Sequence, residues 1–279
     1  MKGNQKMLKE KKYFLFDIDG TIAIDDILYE GSRELLAYID SIGGRSFYIT
    51  NNSTKSRKDY VYKFKKWGID TVEAQFMTAS YAACRYLKKY YSGRKLFVLG
   101  TPSFEEELRD YGLIVTKKAE KDVSCVVAGF DRTLSYEKIE AACELLFRPG
   151  VDYVATNPDL RCPVSYGFVP DCGGICGMLK STTDREPCYV GKPNAEIVRL
   201  CTEQVNAKKE EVLVVGDRLY TDIACGINAG VETALLYTGE AKPEDIKDTK
   251  YVPDYTYQNI LGLYEDFVRE RKISNGPER

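Results

Sequence analysis

Short apolar runs alternate with longer amphipathic segments along most of this chain, and few architectures accept that order. Tyr13 to Phe16, Ser46 to Thr50, Lys95 to Leu99, Val123 to Ala128, Tyr153 to Thr156, Cys188 to Val190 and Val212 to Val215 read as buried strands. Between them, the spacing predicts helices over Lys55–Trp67, Phe104–Tyr111, Tyr136–Phe147 and Ala195–Val205. Strands this apolar need cover on both faces, which right-handed βαβ units around a parallel sheet supply. The expected fold class is α/β with a Rossmann-like parallel-sheet core. Seven strands are too many for one small sheet, and 279 residues suffice for about two domains. The middle third is punctuated by Gly, Pro and Cys, and Thr156-Asn157-Pro158-Asp159 reads as a strand end and turn. A discontinuous core over 1–90 and 185–279 is therefore expected, with an α/β domain over 91–184 inserted into it. The charged stretch Arg269–Arg279 is expected to be a frayed helix end.

Composition narrows the chemistry. Histidine is absent, which excludes Ser-His-Asp, Cys-His and histidine-metal sites. Nine cysteines form no Cys-x-x-Cys pair, and Cys172 with Cys176 lacks a second pair to complete a zinc site. They are expected to be buried thiols. A net charge of -2 gives no electrostatic case for nucleic acid or an anionic membrane, so a small-molecule partner is expected. Lys2 to Lys12 carries charge instead of a signal peptide's apolar stretch, and no apolar run approaches the roughly 20 residues that span a bilayer. A cytoplasmic location is the expectation.

The chemistry gathers at strand ends. Asp17 and Asp19 close the first strand in Phe16-Asp17-Ile18-Asp19-Gly20-Thr21, two residues apart and so on one side of an extended chain. Like charges that close need a cation or a shared proton. Asp-x-Asp-Gly also occurs in turns and calcium loops, but Thr21-Ile22-Ala23-Ile24 supplies none of the further oxygen ligands that calcium requires. Thr50-Asn51-Asn52-Ser53 ends a second strand before a helix, a neutral cradle for phosphate oxygens; helix capping alone needs only one such residue. Lys192 stands between strand and helix in Val190-Gly191-Lys192-Pro193, where a cation would offset the repulsion of an incoming dianion. Gly216-Asp217 closes another buried strand, with Asp222 in the first turn that follows. An oxygen-rich set of this kind suits magnesium.

In this order the segments resemble the haloacid dehalogenase-like hydrolase superfamily, whose four motifs match at Asp17-Ile18-Asp19-Gly20-Thr21, Thr50, Lys192 and Gly216-Asp217 through Asp222. Thr50 to Ser53, Thr156 to Asp159 and Val190 to Pro193 look like the branch containing NagD, 4-nitrophenyl phosphatases and phosphoglycolate phosphatases, from about Lys12 to Phe267. The resemblance implies a magnesium-dependent phosphatase with an inserted α/β cap, acting on a small phosphorylated metabolite; caps in this branch often form a homodimer, and the sequence leaves the oligomeric state open. It implies that Asp17 attacks phosphorus while Asp19 serves as acid and then base. Mg2+ would be bound by the Asp17 carboxylate, the Asp19 backbone carbonyl and Asp217, with Asp222 in the outer shell. Thr50, Asn51, Asn52 and Lys192 would hold the substrate. Departures lie in Asp25 to Ser32, where many members carry a Gly and then Ile-Pro-Gly-Ala, and in the cap segments Asp159 to Pro163 and Val169 to Gly174, where members differ by substrate. Arg161 could meet an anionic leaving group or simply face solvent. The alternative function is a non-catalytic phospho-ligand-binding or regulatory protein; such proteins tend to lose the nucleophile or a metal ligand, and every such position is present.

Overall fold

A computed structural model describes residues 7–275. They form two compact units: the residues up to Ile49 with those from Ala195 onward, and Thr50–Asn194.

In the first unit, five strands lie in the order Tyr255–Tyr257, Glu232–Leu236, Val212–Gly216, Tyr13–Phe16, Arg45–Thr50, the last strand ending where the second unit begins. All neighbouring pairs are parallel. Phe14, Leu15 and Phe16 are fully buried, as are Val212 to Val215, so both faces of the central strands are covered. Phe14 packs against Phe267 of the helix Ile260–Asn275, which in turn meets Tyr38 of the helix Ser32–Ser41. Helix Glu196–Gln204 packs on Ala224–Ala229.

The second unit carries its own parallel sheet, in the order Cys188–Tyr189, Asp152–Ala155, Val123–Ala128, Lys95–Leu99, Ile114–Thr116. Alternation along these strands feeds two separate cores. Phe97, Leu99, Val126, Ala128, Tyr153 and Ala155 meet helices Tyr136–Leu146 and Cys172–Thr183. Leu96, Val98, Cys125, Val127 and Val154 meet Ala79–Tyr90 and Pro102–Asp110 on the other side. Because Ala83, Cys84 and Leu87 bury their apolar stripe there, Ala79–Tyr90 belongs to this unit. The unit junctions therefore stand at 49/50 and 194/195, and the stretch 91–184 lies inside the second unit.

Both parallel sheets follow from the alternation of elements. The expected strands Lys95–Leu99 and Val123–Ala128 match to the residue, and the predicted helices are found as Arg57–Lys66, Pro102–Asp110, Tyr136–Leu146 and Glu196–Gln204. Ser56 and Asp59 cap the first of these reciprocally, which shortens it at its start. The antiparallel hairpin Arg161–Val164 with Gly167–Pro170 is an addition to the expected strands, its residues being mostly exposed or half-buried and so forming no apolar run. Of the charged tail, the part up to Asn275 continues a helix; residues 276–279, and Lys2 to Lys6 of the basic start, lie outside the described residues. Seven cysteines are buried, Cys143 is half-buried, Cys188 is exposed, and all nine are free thiols.

Candidate active site

Strand register builds a carboxylate cluster in the first unit. Phe16 pairs with Val215, and the Asp17 N–H continues the ladder to the Val215 carbonyl at 2.8 Å. Asp17 and Asp217 thus leave adjacent strands at the same carboxyl rim, where parallel sheets collect ligands. The chain beyond Gly216 turns through one π-helical turn, Leu219–Ile223, that brings Asp222 back over the strand end. One carboxylate oxygen from each of Asp17, Asp217 and Asp222 lies within 4.8 Å of the others. Only 7 % of Asp17 and 1 % of Asp217 and Asp222 are exposed.

Each of the three is held differently. Asp222 Oδ2 accepts the N–H groups of Asp217 and Arg218, at 3.2 and 3.0 Å, so it grips the backbone that carries Asp217. Its side chain passes so close to Gly216 that a Cβ there would meet Asp222 Cβ at 2.2 Å. Asp217 Oδ2 accepts the Glu240 N–H at 2.8 Å, and Thr21 Oγ1 lies 3.3 Å from its other oxygen and 3.5 Å from Asp17 Oδ2. The loop that brings Glu240 presses Gly239 against the same carboxylate: a Cβ at 239 would stand 2.0 Å from Asp217 Oδ2. Thr238 fastens that loop by donating to the Gly20 carbonyl at 2.6 Å. Tyr29 donates to the Thr238 carbonyl at 3.4 Å; burial, and then the charges of Asp217, Asp19 and Asp25, raise its phenol and keep it protonated.

Three carboxylates at this separation repel by about 3–4 kcal/mol per ionised pair, taking an effective dielectric near 20. A hard cation removes that cost. Among the described residues this is the one cluster of three metal-ligating side chains, and its donors are all oxygen, the set that suits magnesium or calcium over zinc. Asp19 stands outside the cluster and is partly exposed.

The second unit holds the remaining candidates. Thr50 Oγ1 accepts the Asn52 N–H at 3.1 Å, leaving its own proton for another acceptor. Asn52 Oδ1 accepts from the Thr54 N–H and hydroxyl, an Asx turn. Asn51 grips Lys192 at both ends of its amide: Oδ1 accepts the Lys192 N–H at 2.8 Å and Nδ2 donates to the Lys192 carbonyl at 3.1 Å. Lys192 itself is 2 % exposed. Ser53 is fully buried, accepts the Phe130 N–H at 2.8 Å and lies 3.1 Å from the Thr156 hydroxyl.

Comparison with known proteins gives the family. A haloacid dehalogenase-like hydrolase model matches residues 14–114, and a second HAD-hydrolase-like model matches 189–263. An acid sugar phosphatase of Staphylococcus aureus (strain MRSA252) is 31 % identical over 253 residues, covering 91 % of this chain and 96 % of that protein. The chain is a haloacid dehalogenase-like hydrolase. Its solved neighbours include the 4-nitrophenylphosphatase of Thermotoga maritima, with TM-score 0.85, 36 % identity and coverage of 93 % of this chain and 98 % of that one. NagD from E. coli K-12 aligns at TM-score 0.79 and 30 % identity, covering 90 % and 97 %. This hydrolase belongs to their branch.

Some residues of the hydrolase's carboxylate cluster were not singled out from sequence. Thr21 stood in the first motif without a role, whereas Thr238, Gly239 and Glu240 follow a strand with no motif of their own. Only the register of Gly216 with Leu235 reveals that the loop beyond Leu236 must arrive beside Asp217.

Proposed function

We propose that this hydrolase cleaves small organic phosphate monoesters through an aspartyl-phosphate on Asp17. The observation that carries the reading is the buried triad of carboxylates, an all-oxygen cluster with a nucleophile-bearing strand end at its centre. A carboxylate oxygen of Asp17 attacks phosphorus, forming an O–P bond as the ester O–P bond breaks. Asp19, partly exposed and so able to exchange protons, protonates the departing alkoxide. It then takes a proton from water, whose oxygen attacks phosphorus and returns Asp17 and inorganic phosphate. The Thr50 hydroxyl, Asn52 and the Lys192 ammonium hold the phosphoryl oxygens and match the charge they gain, whereas the Asn51 amide, expected to join them, is bonded to the backbone of Lys192. The Asp17 carboxylate, the Asp19 carbonyl and Asp217 would hold Mg2+, with Asp222 ordering its surroundings. When bound, the ion neutralises charge on the phosphoryl group and orients it.

Phosphorylated sugars are a favoured substrate class, supported by the name of the acid sugar phosphatase relative. The stretch 91–184 serves as the cap that screens leaving groups and mediates a homodimer. No helix among the described residues is long and apolar enough to cross a membrane. A cytoplasmic location is part of the same proposal. Release of 4-nitrophenol from 4-nitrophenyl phosphate tests the reading. Turnover should require Mg2+, stop with EDTA, and vanish in Asp17→Asn. Activity that survives Asp17→Asn, or is absent from the wild-type protein with Mg2+, removes it.

A further inference from the structure

Asn51 makes an unusual pair of bonds. Its carboxamide accepts the N–H and donates to the C=O of the same residue, Lys192, at 2.8 and 3.1 Å. An opposed residue of an antiparallel strand would exchange the same two bonds, so the amide takes the place of a strand where none continues. The Cys188–Tyr189 strand pairs with Asp152–Ala155, and the next two residues follow, Val190 N–H to Ala155 O at 3.1 Å and Gly191 N–H to Thr156 O at 2.7 Å. At Lys192 the partner becomes the side chain of Asn51.

Two contacts on one residue fix direction as well as place, because they set the Cα–Cβ vector of Lys192 relative to the Thr50–Ser53 loop. Gly191 is shaped around this grip: a Cβ there would lie 2.4 Å from the Thr156 carbonyl oxygen and 2.6 Å from Asn51 Oδ1. The same loop is tied down again two residues on. Thr156 Oγ1 donates to Asn157 Oδ1 at 2.7 Å, so its link to Ser53 is donated by the Ser53 hydroxyl. Asn51 and Ser53 thus both reach the rim of the second sheet, Asn51 at Lys192 and Ser53 at Phe130 and Thr156.

We infer that Asn51 is a positioning residue, whose amide sets the Lys192 ammonium for the phosphoryl group and holds it in register with Thr50. This rests on the reading that Lys192 meets the transferring phosphoryl oxygens. A buried lysine displaced by about 1 Å loses its match to the developing charge, a fault that costs on the order of 100-fold in rate.

The test is a double-mutant cycle of Asn51→Ala and Lys192→Ala, read as kcat/KM for 4-nitrophenyl phosphate and as the inhibition constant of inorganic phosphate, with thermal melts to establish folding. Asn51→Ala alone should lower kcat/KM by about 10- to 100-fold and weaken phosphate inhibition. In the Lys192→Ala background the same change should cost less than about 2-fold, since its target is gone. Merely loosening the loop would lower activity by equal factors in both backgrounds. Equal factors, or full activity in Asn51→Ala, overturn the inference. Should Asn51→Ala fail to fold, Asn51→Asp, which keeps the acceptor and removes the donor, replaces it in the cycle under the same criteria. A wild-type protein that hydrolyses no phosphate monoester overturns the functional reading itself, and this inference with it; an active wild type with additive losses overturns only the inference.

Discussion

Gly239→Ala should damage catalysis without removing any group that touches substrate. The added methyl would stand 2.0 Å from Asp217 Oδ2, 2.4 Å from Cγ and 2.7 Å from Cβ. Ordinary contact between carbon atoms needs about 3.5–4.0 Å, so loop and carboxylate must part by about 1 Å or more. Asp217 has little room to yield, being 1 % exposed, and its Oδ2 is bonded to the N–H of Glu240, the neighbour of the altered residue. Moving the loop strains that charge-assisted bond, worth about 1.5–3 kcal/mol; moving the carboxylate spoils the cluster. A displacement of this size costs on the order of 100-fold in rate, or about 2.7 kcal/mol in the barrier. The assay is kcat/KM for 4-nitrophenyl phosphate against Mg2+ concentration, with melting followed in parallel. The expected result is a folded protein, about 100-fold slower, that needs more Mg2+ for half-maximal rate. Gly177→Ala is the control, since a Cβ at this helical position meets nothing within 4 Å. A folded Gly239→Ala enzyme with unchanged rate and unchanged Mg2+ dependence would refute the packing argument.

Further outcomes follow from other parts of the molecule. Asp19→Asn should fold and bind metal normally but turn over about 100-fold or more slower, the scale of a positioned acid-base group; near-normal steady-state turnover would mean a different acid. Phe104→Ala should cost about 3–5 kcal/mol in a urea titration, because the buried ring fills the space beside Gly100 and Gly129, and a loss under about 1 kcal/mol would contradict that packing. Glu107 has its carboxyl raised above the usual range, by burial first, against the pull of the Ser80 hydroxyl and the Arg57 guanidinium. The folded state therefore keeps this proton where the unfolded chain has lost it, and this share of stability is present below the unfolded value of 4.5 and lost as pH rises through the folded one. Glu107→Gln lacks that loss, so its melting temperature relative to wild type should improve from pH 4 to pH 7; a decline would show that the Arg57 pairing outweighs burial.

What the sequence disclosed, and what it withheld, divides along physical lines. Asp17 and Asp217 were legible because each ends an apolar run, and a carboxylate at the end of a buried strand loses hydration that only a cation or strong donors restore. Their closeness needed only parallel pairing, which the alternation of elements implied. Asp222 was legible as a residue, but its hold on the Asp217 and Arg218 N–H groups depends on a π-helical turn that no periodicity announces. Asn51 was expected to face the substrate, and the amide is instead occupied by a backbone 141 residues away. Unit boundaries were the hardest to read. Ala79–Tyr90 carries an apolar stripe that suits either sheet, and only its packing against Leu96, Val98 and Val127 assigns it to the second.

The stereochemical course at phosphorus puts the central claim to its most direct trial. With a phosphate monoester made chiral by oxygen isotopes and an alcohol as acceptor, attack by Asp17 followed by attack of the alcohol gives two inversions. Net retention is the predicted result. Net inversion would mean one direct displacement, with no phosphate ever bonded to Asp17.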